Sequence, residues 1–158
     1  DLGNSSEEAG RGVEKITGKK VRFDNVDLGD EVETGRVFAE NKDSEAGIHV
    51  AALKAVGESV EKPLEYYSNN LVNTLVVLQA MRRHAVKNFV FSSSATVYGD
   101  PASVPVREDF PTSTTNPYGT TKLFIERILT DYSNADPDFN VALLRYFNPI
   151  GAHKSGLI

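Results

Sequence analysis

The sequence predicts an α/β fold built on a parallel sheet with helices on both faces, and three observations carry that expectation. Short β-prone runs alternate with amphipathic stretches of helical length. One run, Asn88-Phe-Val-Phe-Ser-Ser-Ser94, changes from apolar to hydroxyl-bearing at its C-terminal end, where open parallel sheets place their chemistry. With 158 residues, 40% of them apolar, the chain can bury a core and reads as a single domain over residues 1–158.

Composition narrows the function classes. The 17 Lys and Arg against 22 Asp and Glu leave a net charge of −5, and no dense basic stripe offers phosphate neutralisation, so a nucleic-acid binder is not expected. Apolar runs such as Leu75 to Leu78 are too short to span a bilayer, so no membrane partner is expected. The absence of Cys and the presence of only three His remove thiolate chemistry and leave little for a metal site. They fit a reducing compartment, and a cytoplasmic location is the expectation. The chain starts Asp-Leu-Gly and stops at Gly-Leu-Ile, and reads as an internal piece of a longer protein.

The elements follow in order. Ser5 and Glu8 are spaced as a capping box ahead of a helix over about residues 6–17, although Gly10 and Gly12 each cost about 1 kcal/mol relative to Ala. Val21, Phe23 and Val26 form a short strand ending at Asp27, and Asp30 to about Asn41 reads as a helix with Val32, Val37 and Phe38 inward. Ile48, Val50, Ala51 and Ala52 form a second strand, weakened by Gly47. Pro63 opens the strongest helix, where a missing N–H costs nothing, with Leu64, Tyr67, Leu71, Leu75, Leu78 and Met81 as its inner stripe. The strand from Asn88 follows, then a Pro-containing loop over about residues 99–116. A helix over about 117–133 comes next, with Leu123, Ile125, Ile128, Leu129 and Tyr132 as its apolar positions. The strand Val141-Ala-Leu-Leu-Arg145 and a turn at Asn148-Pro-Ile-Gly151 complete the order.

Three stretches fall at strand C-termini and so on one edge of the sheet: residues 51–54, 92–98 and 145–148. Tyr118 and Lys122, four apart on the first turn of a helix, share one face. A tyrosine that accepts a proton near neutrality must ionise well below its usual value of about 10, and an adjacent ammonium does this directly. Lys122 can supply that charge.

Ser92-Ser-Ser-Ala-Thr-Val-Tyr-Gly99, Asn116-Pro-Tyr-Gly-Thr-Thr-Lys122 and Leu144-Arg-Tyr-Phe-Asn-Pro-Ile-Gly-Ala-His153 resemble the extended short-chain dehydrogenase/reductase superfamily, and within it the nucleotide-sugar epimerases. Ala52-Leu-Lys-Ala-Val-Gly-Glu-Ser59 and Pro63-Leu-Glu-Tyr-Tyr-Ser-Asn-Asn70 extend the likeness over nearly the whole chain.

The resemblance implies a Rossmann-like, doubly wound parallel sheet and an NAD-dependent isomerase that epimerises C4 of a UDP-hexose by transient oxidation, interconverting UDP-glucose and UDP-galactose in galactose metabolism. It implies Tyr118 as base, Lys122 holding the nicotinamide ribose and acidifying the tyrosine, and Ser94 hydrogen-bonding the 4-oxygen. It places Asp27 and Leu28 beside the adenine, and Val50, Ala51, Ala52, Leu53 and Lys54 along the cofactor with Lys54 near the pyrophosphate. Ser92, Asn69 and Phe147 also approach NAD, while Lys54, Ser94, Tyr118 and Asn148 meet the UDP-sugar. A homodimer is implied through a bundle of the 64–81 and 123–132 helices.

Taken singly, several of these residues have plainer readings: Asp27 ends a strand, Lys54 is a solvated loop charge, Phe147 is core, and Asn148 starts a turn. A related dehydratase or decarboxylase, or a non-catalytic remnant of the fold, are the alternatives. Against the family pattern, the chain lacks the glycine-rich phosphate turn, the first two strands and the C-terminal substrate domain. The adenine-ribose acid falls at Asp1 or its neighbour. By itself the chain is expected to be inactive.

Overall fold

The computed structural model describes residue 2 and residues 6–157; Ser5 and Asp1, named above as cap and ribose acid, lie outside the described residues. Helix α1 (Glu8–Thr17) begins after Glu7, which makes no side-chain cap, and ends at Gly18, whose φ of 68° lets its N–H reach the Glu14 carbonyl. The strand expected over Val21 to Val26 is not formed. The segment runs as irregular chain, the Val21 N–H being taken by the Glu14 carboxylate at 2.8 Å, and Phe23 is left 52% exposed.

Helix α2 (Glu31–Glu40) is capped by Asp30, whose carboxylate accepts from Val32 N and Glu33 N. Phe38 packs against the core as expected. Val32, expected inward, is exposed, because it sits about 200° round the helix from buried Thr34. Strand β1 (Ala46–His49) starts and stops earlier than the expected run from Ile48 to Ala52. Its alternation puts Gly47 and His49 on the core side and turns Ile48 outward. A Cβ at Gly47 would press on Met81 Sδ at 3.2 Å, so glycine leaves room for the methionine.

Helix α3 (Val56–Glu61), not anticipated, precedes a helical stretch made of α4 (Pro63–Tyr67), a π-helical turn (Ser68–Val72) and α5 (Asn73–Arg83). The wide turn rotates the buried face. Tyr66, Asn70, Thr74, Val77, Leu78 and Met81 are buried, whereas Leu64 and Leu75 of the expected stripe face outward. A stripe counted at 3.6 residues per turn loses register where the helix takes wider turns.

Strand β2 (Asn88–Ser94) pairs in parallel with β1 and with β3 (Asn140–Tyr146), giving the sheet order β1-β2-β3. A 3₁₀ turn (Ala95–Tyr98) and the loop to residue 116 lead into helix α6 (Pro117–Ala135). Phe89 and Phe91 of β2 meet Met81 and Leu78 of α5 and Ile125 and Leu129 of α6 in one core cluster with Phe139. On the opposite parity of the sheet, Ile48, Leu144 and Tyr146 remain exposed. The parallel α/β architecture is as the sequence predicts.

Candidate active site

The site is built where β2 runs out. Ser94 ends the strand in extended geometry and caps the 3₁₀ turn, its Oγ accepting from Thr96 N at 3.2 Å and Thr96 Oγ1 at 2.9 Å. The turn closes at Gly99, whose φ of 57° suits glycine and whose missing Cβ would collide with the Ser113 carbonyl. Helix α6 then starts with Pro117 in its first turn and Asn116 as cap, the amide oxygen accepting from Gly119 N at 2.8 Å. Tyr118 N donates to Ser59 Oγ of α3 at 3.1 Å.

One turn along α6, Lys122 is 3% exposed. Its Nζ donates to the Ser92 carbonyl at 2.8 Å and lies 4.8 Å from the Phe91 ring centre and 5.9 Å from that of Tyr118. Burial lowers its pKa to about 8, so the ammonium persists at neutrality. Beneath it, burial and then the Lys122 charge push His49 down to about 4. Thr74 Oγ1 spends its single proton on the Asn70 carbonyl, so the 3.1 Å contact from His49 Nε2 must be a donation to Thr74. His49 is therefore a neutral imidazole protonated at Nε2.

Two clefts receive the residues singled out from the sequence. The first, of about 780 Å³, is lined by Lys54, Ser92, Ser94, Tyr118, Phe147 and Asn148, together with Thr96. Lys122 stands behind its wall. The second, of about 640 Å³, gathers Asp27, Leu53 and Asn69 with Ser68 and Asn73. Leu28 packs against the core instead. Val50 is exposed, and neither it nor Ala51 or Ala52 lines either cleft.

Several residues that organise the site escaped sequence reasoning. Asn70, fully buried, clamps the segment between the clefts: its amide accepts from Leu53 N at 2.8 Å and donates to Leu53 O and Thr121 Oγ1, each at 3.0 Å. Its signal was the spacing Tyr66, Asn70, Thr74, a buried stripe with polar members. Ser59 and Thr96 act across long sequence separations or within a turn, and no periodicity marks them. Glu126 of α6 accepts from Ser93 Oγ and pairs with Arg145 of β3 at 2.7 Å, while Arg145 also donates to the Tyr98 hydroxyl at 2.8 Å. Its hydrogen bonds to Glu126 raise the Arg145 pKa further. This network joins β2, the 3₁₀ turn, α6 and β3.

A Ser, Tyr and Lys set at the carboxyl edge of a parallel sheet, beside a second cleft, fits the class of Rossmann-like nucleotide-cofactor folds, which place their ligands at that edge. The chain belongs to the NAD dependent epimerase/dehydratase family, whose model matches residues 3–157. It is 56% identical over its whole length to UDP-glucose 4-epimerase of Dictyostelium discoideum, covering 46% of that protein. It is 60% identical over 92% of its length to the Caenorhabditis elegans enzyme of the same name, covering 42% of it. The crystal structure of UDP-glucose 4-epimerase from Bifidobacterium longum in complex with NAD+ and UDP superposes with a TM-score of 0.96 at 58% identity, over 99% of this chain and 47% of that one. The chain thus spans a little under half the length of the relatives it matches.

Proposed function

We propose that the protein to which these residues belong catalyses NAD-dependent epimerisation at C4 of a UDP-hexose, interconverting UDP-glucose and UDP-galactose in galactose metabolism. The observation that carries this reading is the convergence of Lys54, Ser94, Tyr118 and Asn148 on one cleft with the Lys122 ammonium behind it.

The residues fit NAD. The Asp27 carboxylate and the Asn69 and Asn73 amides, suited to a heteroaromatic base, meet in the second cleft, and a Cβ at Gly29 would come within 2.7 Å of Asn73 Oδ1 there. Lys54 and Leu53, adjacent in sequence, join the two clefts. When bound, NAD supplies reversible uptake of the C4 hydride. Asp27 would meet the adenine with Leu28 packed into the core beside it, Leu53 and Lys54 would follow the cofactor from one cleft to the other with Val50, Ala51 and Ala52 leading up to them, and Asn69, Ser92 and Phe147 would approach it. Lys122 holds the nicotinamide ribose. Tyr118 takes the proton of the 4-hydroxyl, Ser94 hydrogen-bonds the 4-oxygen, and Lys54 and Asn148 contact the UDP-sugar.

In the cytoplasm, the expected location, the protein works as a homodimer. The 158 residues alone neither bind NAD tightly nor turn over substrate, because apolar positions such as Ile48 and Tyr146 on the sheet and Phe147 beyond it stay open to water and invite association; micromolar NAD binding by the isolated chain in titration calorimetry would refute this.

The test of the reaction is Tyr118→Phe in the full-length protein. Turnover in a coupled UDP-galactose assay should fall about 10²–10⁴-fold, the usual scale for a lost acid–base group, with UDP binding retained. Near-normal turnover would remove Tyr118 from the mechanism. Ser94→Ala should be milder, since water can replace a hydroxyl.

A further inference from the structure

We propose that Thr96 is a positioning residue that makes the Ser94 hydroxyl a one-way hydrogen-bond donor into the cleft, and that Gly119 is the spacer that keeps Thr96 in place. The proposal rests on the epimerisation reading above. A serine hydroxyl has one proton to give and two lone pairs with which to accept. At Ser94 both lone pairs are engaged within the turn, by Thr96 Oγ1–H at 2.9 Å and by Thr96 N–H at 3.2 Å. No protein acceptor takes the Ser94 proton among the described residues, and Ser94 lines the cleft. The proton is therefore aimed at whatever oxygen enters there.

Thr96 is held in this role from the other side. Helix α6 seats directly on it: a Cβ at Gly119 would lie 3.1 Å from Thr96 O, 3.2 Å from Oγ1 and 3.3 Å from Cβ. Glycine at this position allows the approach without turning the threonine. Because Gly119 follows Tyr118, the same contact fixes where the tyrosine stands relative to Ser94. The direction of the chain follows. With Ser94 donating, a sugar 4-oxygen must accept from it, so the 4-hydroxyl proton is left for Tyr118. The O–H bond breaks toward the tyrosine oxygen, and Ser94 keeps its own proton.

The test uses the full-length NAD-loaded protein. Thr96→Val, which keeps shape and removes the hydroxyl, should lower kcat about 10–100-fold, the scale of one hydrogen bond lost to an oxygen that gains charge, with the KM for UDP-galactose and the bound NAD content within about twofold to threefold. Thr96→Ser, which restores the hydroxyl, should recover kcat to within about threefold of wild type. Adding Thr96→Val to Ser94→Ala should cost little more than Ser94→Ala alone, because both remove one unit. Normal turnover of Thr96→Val, or losses that multiply in full in the double variant, would overturn the proposal. Neutron diffraction of the deuterated wild-type protein reads the same point without activity: the Ser94 deuterium should point into the cleft, and one pointing at Thr96 overturns the proposal. A wild-type protein without epimerase activity would instead remove the functional reading, and the neutron map would still decide the direction of Ser94.

Discussion

Ser59 Oγ, 59 residues upstream of Tyr118, accepts the backbone N–H of Tyr118 at 3.1 Å and donates its own proton to the Val56 carbonyl at 2.6 Å. A side chain of α3 thus completes the N-terminus of α6, where helix N–H groups have no partner within the helix. The fully buried Ser59 is anchored in turn, because Tyr66 OH accepts from Ala55 N and donates to Glu58. Ser59→Ala should cost about 1 kcal/mol, as other lost caps do, and lower kcat more than it raises the substrate KM. Thermal unfolding and steady-state kinetics of the full-length protein check this; unchanged kcat would show that α6 holds Tyr118 without α3.

His49 makes stability depend on pH in a defined window. Its folded pKa is about 4, from a usual value of 6.5, through burial and the Lys122 charge. Between these values the unfolded chain binds a proton that the folded chain refuses, so the contribution is complete above pH 6.5 and is lost as pH falls toward 4. At 1.36 kcal/mol per unit it amounts to about 3 kcal/mol. His49→Gln, which keeps a donor for Thr74 without a titrating ring, should flatten this part of the curve. Urea unfolding at pH 6.5 and 4.5 compares the two proteins, and equal losses would show that His49 titrates normally.

The Glu126–Arg145 pair is buried at its acidic end, the Glu126 side chain being 5% exposed and that of Arg145 21%. Removing one partner strands a charge, and such losses cost about 3–5 kcal/mol. Glu126→Gln should therefore destabilise strongly, while the paired change Glu126→Leu with Arg145→Met should be much closer to wild type. Melting temperatures of the three proteins decide it. A double variant as weak as the single one would show that the network contributes through its hydrogen bonds to Ser93 and Tyr98.

Leu64, Leu75 and Phe124 are 79%, 41% and 48% exposed, and the Tyr67 and Phe124 rings lie 6.2 Å apart where α4 and α6 run side by side. An apolar face on neighbouring helices is the surface a homodimer would cover. Leu75→Glu with Phe124→Glu should convert a full-length dimer into a monomer by light scattering at micromolar concentration. A wild-type protein that is already monomeric would refute the dimer.

The sequence by itself determined the parallel α/β class, the position of β2 and α6, and the placement of Ser94 at a strand end with Tyr118 and Lys122 on one helix turn. Each is a local signal: an apolar run ending in hydroxyls, a Pro after an Asn cap, two residues four apart on one turn. Only the tertiary structure decided the rest. Val21 to Val26 has strand composition but runs as irregular chain, its Val21 N–H taken by the Glu14 side chain of α1, a contact that composition does not register. The π-helical turn at Ser68–Val72 rotated the buried face of its helix, exposing Leu64 and Leu75 and drawing in Asn70 and Thr74. Polar residues at inward positions are stable because their partners come from elsewhere in the chain: Leu53 and Thr121 for Asn70, and His49 for Thr74. Hydrophobic periodicity registers what leaves water. It does not register which distant hydrogen bond makes leaving water tolerable for an amide or a hydroxyl.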